Sequence, residues 1–406
     1  MDDVVDKKKY LAKGVEADWY QPQDLTDEQR EEFRVRSKAS QEAALKARSG
    51  EGQPSIHPIY SPKLDPYLLM PPVGPSGLRA LSMFSGGGGL DLGFDCAGFE
   101  HVSSYELLDF AAESIHQNRP SWNVFGGANG DVTEIDWRVY RGEVDVIHGG
   151  PPCQPFSLAG RQKGSRDPRD MFPEFVRAVQ EIEPLAFVAE NVKGLAGPKF
   201  KPYINETILD ALSPRYEIRS FILSAASFGV PQSRMRLVFF GYHREKVGRI
   251  PLEPATTHDW SRFSKAKNSK QPSMLDGMLP KTMGVREALG LPDTGFDALS
   301  PTLRCALTGP RGTTSILSSS AAQKIWHGLE VWPNGVAASR QAAQAFPAKN
   351  DHYRLSVEEC ALLQGFPSDW NFYGAVSKTL GQIGNSVAPP MAYAIARRVA
   401  DDLSAC

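Results

Sequence analysis

Arg79-Ala80-Leu81-Ser82-Met83-Phe84-Ser85-Gly86-Gly87-Gly88-Gly89-Leu90-Asp91-Leu92-Gly93-Phe94 decides the fold. Its first six residues read as a strand, and Leu90–Phe94 reads as the start of a helix. Four glycines between them let the backbone approach a ligand, and a helix N-terminus presents free N–H groups. The turn is no Walker A loop, because Leu90-Asp91 stands where Lys-Ser/Thr is needed. Glu106 ends the next strand, placed for ribose hydroxyls, and Asp131 lies near a third strand end, placed for an exocyclic amine. Taken alone, the unit fits a nicotinamide, flavin or S-adenosylmethionine site equally well, and Glu106 reads equally well as a surface acid.

Working outward, strand patterns recur at His101–Tyr105, Val144–His148, Ala186–Ala189, Tyr216–Leu223 and Leu237–Gly241. Helical patterns separate several of them: Phe110–Asn118, Phe172–Glu183 and Tyr203–Leu212. This alternation implies an α/β fold, a doubly wound, mostly parallel sheet covered on both faces. After Tyr242 the periodicity weakens and Gly, Pro, Ser and Lys become frequent. A segment this long without structure is rare, so it reads as a second, smaller, irregular domain. Helices return at Ser356–Leu363 and Ala388–Leu403. The expected organisation is an N-terminal arm and Pro-rich connector over 1–77, a main domain over 78–242, the small domain over 243–376, and a returning segment over 377–406.

In the arm, Thr26-Asp27-Glu28-Gln29 matches a capping box for a charged helix over Asp27–Arg48. Its cations suit either a solvated face or nucleic-acid phosphates, and the solvated face is the better reading. The 406 residues carry a net charge of −2, which argues neither for nor against nucleic acid. No stretch reaches the ~18 apolar residues of a membrane span. The N-terminus has no apolar signal region, so a cytoplasmic protein is expected. Cys96, Cys153, Cys305, Cys360 and Cys406 are far apart, with no CxxC pair, and imply no metal or disulfide framework.

Four short motifs carry chemistry. Pro151-Pro152-Cys153-Gln154-Pro155-Phe156-Ser157 follows an apolar run and a Gly149-Gly150 pair, so a cysteine stands in a rigid turn at a strand tip. Glu190-Asn191-Val192 ends another strand, Gln232-Ser233-Arg234-Met235-Arg236 precedes one, and Gly384-Asn385-Ser386-Val387 leads into the last helix. Each has a bland reading: a buried apolar cysteine, a capping acid, solvated arginines, a turn asparagine.

Together, in this order from Leu81 to Ile395 and with Glu359–Pro367, they resemble the DNA (cytosine-5) methyltransferases of bacterial restriction–modification type. That resemblance implies a Rossmann-like S-adenosylmethionine-dependent methyltransferase domain and makes 243–376 the target-recognition domain. It implies Cys153 as nucleophile toward cytosine C6, Glu190 as the acid at N3, Arg236 at O2 or phosphate, and Arg234 orienting the acid and loop. For S-adenosylmethionine, leaving as S-adenosylhomocysteine, it implies Phe84, Ser85, Gly86, Gly88, Gly89, Glu106, Asp131, Val132, Pro152, Met171, Asn385, Ser386 and Val387. Double-stranded DNA is the implied partner. Gln154, Ser157, Arg161, Lys163 and Arg166 are its expected contacts around a closing loop, and Arg304 and Arg311 are candidate readers of base edges. No metal is implied. A monomer, nucleoid-associated and with a cognate restriction endonuclease encoded nearby, completes the expectation. Gly87 departs from the larger residue of many relatives and should loosen the turn slightly. A tRNA cytosine-5 methyltransferase is the alternative, though its usual Cys-Phe-Thr tripeptide is missing here. A catalytically silent DNA-binding relative is the other.

Overall fold

Alternation along β1 (Arg79–Met83) sends Ala80 to one face of a sheet and Leu81 and Met83 to the other. The computed structural model describes residues 61–152, 170–264, 278–303, 315–316, 319–344 and 352–404, with Asp27, Glu28, Glu31 and Val35 also described and helical. Next come α1 (Gly89–Cys96), β2 (Glu100–Glu106), α2 (Asp109–Asn118), β3 (Val124–Gly126) and β4 (Val146–Gly149). They are followed by α3 (Phe172–Ile182), β5 (Ala186–Val192), β6 (Tyr216–Ser224), β7 (Gln232–Ser233) and β8 (Met235–His243). The main sheet has seven strands in the order β3-β2-β1-β4-β5-β8-β6. Neighbours from β3 to β5 are parallel, and β8 inserts antiparallel between β5 and β6.

Each face takes its own helices. α3 presents Phe172, Phe175, Val176, Val179 and Ile182, spaced as one helical stripe, to Leu81, Met83, Ile147, Phe187 and Phe239. On the opposite face, α1 packs beside the last helix, α8 (Pro389–Ser404), over Ala80, Val146, Val188 and Phe240. That approach is close: a Cβ on Gly93 would stand 2.4 Å from the Ala392 methyl. Among the described residues, no helix is long and apolar enough to cross a membrane.

A third apolar cluster lies beyond the sheet. It gathers α4 (Val285–Leu289), α5 (Ser320–Gly328), β10 (Val331–Ala337), β11 (Tyr353–Ser356), α6 (Val357–Gln364) and α7 (Val376–Asn385), with two-residue β9 (Ser300–Pro301) pairing β7. Ser356 and Glu359 close a reciprocal capping box that starts α6, and Tyr353 and Arg340 also bond the Glu359 carboxylate.

Two expectations change. Residues 61–77 are no free arm: Leu64 and Met70 are buried, Lys63 and Leu64 donate their N–H groups to the Ala288 carbonyl, and Val73 and Ser76 bond to Cys96 and Gly98. Apolar side chains spaced among prolines anchored a stretch whose composition read as a connector. The third strand ends at Gly126, and Asp131 instead caps a short 3-10 turn. The helix expected over 203–212 is present, running from 201 to 212 with a π-helical stretch at Asn205–Leu209. The Thr26–Gln29 capping box and nearly all of the arm's helix fall outside the described residues.

Candidate functional site

Register places the site. Tyr105, Met83, Gly149 and Ala189 pair in one row across β2, β1, β4 and β5. The next residue on each strand is Glu106, Phe84, Gly150 and Glu190. The carboxyl ends of four adjacent parallel strands thus carry the acid, the glycine turn, the Gly-Pro-Pro turn and the second acid side by side, where open α/β sheets bind ligands.

At one end of this row, Glu106 is buried, and its two oxygens accept from Gly86 N (2.7 Å) and Leu108 N (2.9 Å). Burial pushes its carboxyl up against the pull of those amides. The acid therefore braces the glycine turn as well as facing the strand end. Ser85 donates its N–H to Tyr105 O at 3.2 Å, and its hydroxyl meets Ser82 at 2.8 Å. Phe84 itself has a positive φ of 56°. Gly86 (φ 55°) and Gly88 (φ 79°) hold left-handed backbone that other residues adopt at a cost. Around Gly86 a Cβ would meet only Phe84 O at 3.9 Å, leaving that side open. At Gly88 and Gly89 it would strike Trp370 (2.6 Å) and Val387 O (2.1 Å). Most of these glycines are demanded by other parts of the chain, a reason the sequence reading did not contain. Gly87 is corrected likewise: its Cβ would lie 2.7 Å from Ser386 Oγ and 3.1 Å from the Phe372 ring, so the turn is closed there, not loosened.

Ser386 and Val387, some three hundred residues downstream, thus form one wall of the turn. Asn385 at the end of α7 is exposed, while Ser386 Oγ donates to Gln382 O. Asp131 accepts from Thr133 N and Oγ1 (3.0 and 2.8 Å). Val132 points into the core, and its carbonyl accepts from Arg177. Met171 sits at the N-terminus of α3, partly buried. The sequence reading missed Leu107 and Phe125, exposed apolar side chains flanking Glu106 at the same strand ends, with Phe125 stacked on Tyr105 at 4.9 Å. Isolated exposed apolar residues carry no motif; only their neighbourhood marks them.

At the other end, Glu190 on β5 lies opposite Val238 of β8, and Arg236 opposite Val192, so the two are diagonal partners on one face. Arg236 Nε stands 2.7 Å from Glu190 Oε1, with the side chains 12% and 9% exposed. Burial pushes the Glu190 carboxyl up, while Arg236 and then Arg234 pull it down; burial prevails. A Cβ on Gly150 would lie 3.1 Å from Glu190 Oε2, so the turn toward Pro152 starts against this carboxyl. Asn191 Nδ2 fixes that turn by donating to Pro151 O at 3.1 Å.

Arg234, expected to orient the acid and loop, acts on the Glu190 carboxyl through its charge and also has a second attachment. It is fully buried and donates to Gly384 O (3.0 Å) and Ser386 O (2.5 Å), so it holds the wall beside the glycine turn. Gln364 also donates to Ser386 O, and Gln232 donates to Gln364 Oε1. One buried network therefore joins the arginine motif, α6 and the Asn-Ser-Val turn. Pro152 ends this described stretch. Cys153, Gln154, Ser157, Arg161, Lys163 and Arg166 lie outside the described residues, as do Arg304 and Arg311.

Residues 78–401 match the family profile of the C-5 cytosine-specific DNA methylases. The Type II methyltransferase M.NgoMIV of Neisseria gonorrhoeae is 33% identical over 329 residues, which cover 79% of this chain and 96% of that one. M.Eco47II of Escherichia coli, also a Type II methyltransferase, is 31% identical over 338 residues, covering 79% and 78%. Among solved structures, a chain provisionally described as a DNA modification methyltransferase of an E. coli prophage superposes with a TM-score of 0.51 at 22% identity, over 80% of this chain and 99% of that one. The fold is therefore the Rossmann-like one of S-adenosylmethionine-dependent methyltransferases.

Proposed function

The chain belongs to the C-5 cytosine-specific DNA methylase family, and on that premise we propose that it methylates cytosine in double-stranded DNA at a specific sequence, through a covalent bond between Cys153 and cytosine C6. The observation that carries this reading is the strand-end row: the glycine turn and Glu106 at one end, Glu190 with Arg236 at the other, and the turn leading to Cys153 between them.

The methyl donor, S-adenosylmethionine, fits what is present. The Gly86 side of the turn is open, α1 begins without a side-chain cap, and Glu106 is a buried acceptor at the strand end. Phe84, Ser85, Gly86, Gly88 and Gly89 would hold its amino-acid end, Glu106 its ribose, Asp131, Val132, Leu107 and Phe125 its adenine edge. Pro152 would flank the sulfonium, and Asn385–Val387 the carboxylate. When bound, it supplies an electrophilic methyl group on a sulfonium and leaves as S-adenosylhomocysteine.

The chain's own residues do the rest. Cytosine C5 is a weak nucleophile until a thiolate adds at C6, which is the work of Cys153; once C5 is methylated, loss of its proton to a base expels the Cys153 thiolate and restores the ring. Negative charge then builds toward N3, and Glu190, whose carboxyl burial pushes up so that it takes a proton more readily, donates there on leaving Arg236. Arg236 is positioned to follow the base at O2 or its phosphate once Glu190 turns to N3. Arg234 keeps the donor wall in place throughout. The target base must leave the duplex to reach this edge, at a cost of a few kcal/mol. Gln154, Ser157, Arg161, Lys163 and Arg166 are assigned to the DNA that gives it up, and Arg304 and Arg311 to base edges. We place residues 243–376 as the target-recognition part of a monomeric, cytoplasmic, nucleoid-associated bacterial enzyme. Its relatives' role as Type II methyltransferases extends to this chain as the modification partner of a nearby endonuclease.

The test is label transfer from methyl-labelled S-adenosylmethionine to duplex DNA or to tRNA. DNA labelling is expected, and bisulfite sequencing of the product would give the site. Label in tRNA alone would overturn the reading.

A further inference from the structure

Trp370 is nine-tenths buried or more and belongs to none of the short motifs above, yet its indole N–H donates to the Gly87 carbonyl at 3.2 Å. The same peptide plane carries the Gly88 N–H, which donates to Ser85 O at 2.9 Å. A trans peptide points its C=O and N–H in opposite directions, so this one plane is gripped at both ends. The plane lies between Gly86, held by Glu106, and the first turn of α1. Its tilt sets where the α1 amides begin.

Trp370 is itself aimed by a clasp. Asn371 exchanges two hydrogen bonds with the Asn118 side chain, at 2.8 and 2.7 Å. Tyr373 N donates to Ser114 Oγ (2.8 Å), and its carbonyl accepts from Gln382 (2.9 Å). Asp369 takes the Tyr67 hydroxyl, and the Arg119 guanidinium lies 5.4 Å from the Trp370 ring. These bonds reach α2, α7 and the segment before β1, so the indole is fixed from three directions. Phe372 fills the space beside Gly87 that a larger residue would occupy.

We propose that Trp370 is a positioning residue for the methyl donor: through its bond to Gly87 it sets the shape of the glycine turn and hence donor affinity. This deepens the donor assignment made above and rests on it. It gives Gly87 a purpose, since the bare glycine admits the clasp.

The experiment replaces the indole N–H alone. In the full-length protein, Trp370 is exchanged for 3-benzothienylalanine, a ring of nearly the same shape with sulfur in place of N–H, and Trp370→Phe is made alongside. Donor binding is measured by calorimetry with S-adenosylhomocysteine and with S-adenosylmethionine, and methylation kinetics are read on duplex DNA. The isostere is expected to weaken donor binding by about three- to tenfold, the worth of one neutral hydrogen bond. The donor KM should rise while the DNA KM does not. Trp370→Phe should lose at least as much. If the wild type binds the donor and the isostere binds it equally well, the inference is overturned and the functional reading stands. If the wild type binds neither compound, the donor reading falls and the inference falls with it.

Discussion

The two ends of the strand-end row are held together by different forces. At the donor end, nearly every constraint is a hydrogen bond made by a backbone group: Gly86 N to the Glu106 carboxyl, Ser85 N to Tyr105 O, Gly88 N to Ser85 O, Trp370 to Gly87 O. Even the cation there, Arg234, spends its hydrogen bonds on two carbonyls. At the base end, one buried charge pair, Glu190 with Arg236, and one amide, Asn191 to Pro151 O, do the holding. Backbone-directed bonds fix a shape and offer few alternatives. A buried ion pair adds little net stability but can exchange partners when a proton or a ligand arrives. On the proposed reading, the donor end is suited to keep still and the base end to react.

The comparison can be broken most severely through the residue assigned to bond formation. Cys153→Ser should lower methyl transfer by at least about a thousandfold while donor binding, measured by calorimetry, stays near wild type. Normal turnover would remove the nucleophile and with it the chemical meaning of the base end. Next in size, Glu190→Gln keeps shape and burial but loses the acid, and kcat should fall about a hundredfold. The wild-type rate should decline as pH rises through the elevated Glu190 pKa, because the protonated form is the donor. The variant's profile should lack that limb; an unchanged profile would assign the limb elsewhere.

A variant of Arg234 asks whether the donor end is structural. Arg234→Met leaves two buried carbonyls without their donor and should cost about 2–4 kcal/mol in chemical denaturation. At a temperature where it remains folded, its kcat should fall far less than that of Glu190→Gln. The opposite order would erase the division of labour. The smallest effect concerns His148, one residue before the Gly149-Gly150 pair and stacked on Phe94 at 4.1 Å. Burial lowers its pKa from 6.5 to about 4. Between those values the unfolded chain binds a proton that the folded one refuses, so stability falls as pH drops, by up to about 1.4 kcal/mol per unit. His148→Phe should flatten that slope in denaturation measured from pH 6.5 to 4.5.

The sheet was legible because its signals are local. Alternation in Arg79–Met83 and the stripe in α3 name their own faces, and those strands and helices fall within a residue or two of expectation for the most part. β3, three residues long, is too short to show a period. The Glu190–Arg236 contact needs β8 to insert beside β5, a choice of topology that neither motif contains. Arg234 looked catalytic because it sits two residues from Arg236; it lies in the break between β7 and β8, and from there its guanidinium reaches Gly384 and Ser386. Trp370 was invisible, since its meaning depends on a glycine 283 positions earlier. Motifs announced which residues matter at the edge, and the contacts between motifs came only with the fold.

The pressing of α8 against α1 has a consequence for biosynthesis. Ribosomes make the glycine turn early, but its wall at Ser386 and Val387 and the helix seated on Gly93 emerge some three hundred residues later. A nascent chain therefore carries the glycine turn in an unwalled form until those residues have been made. On the proposed reading, competence to bind the methyl donor arrives only after Ser386, Val387 and the helix seated on Gly93 have been made and have docked.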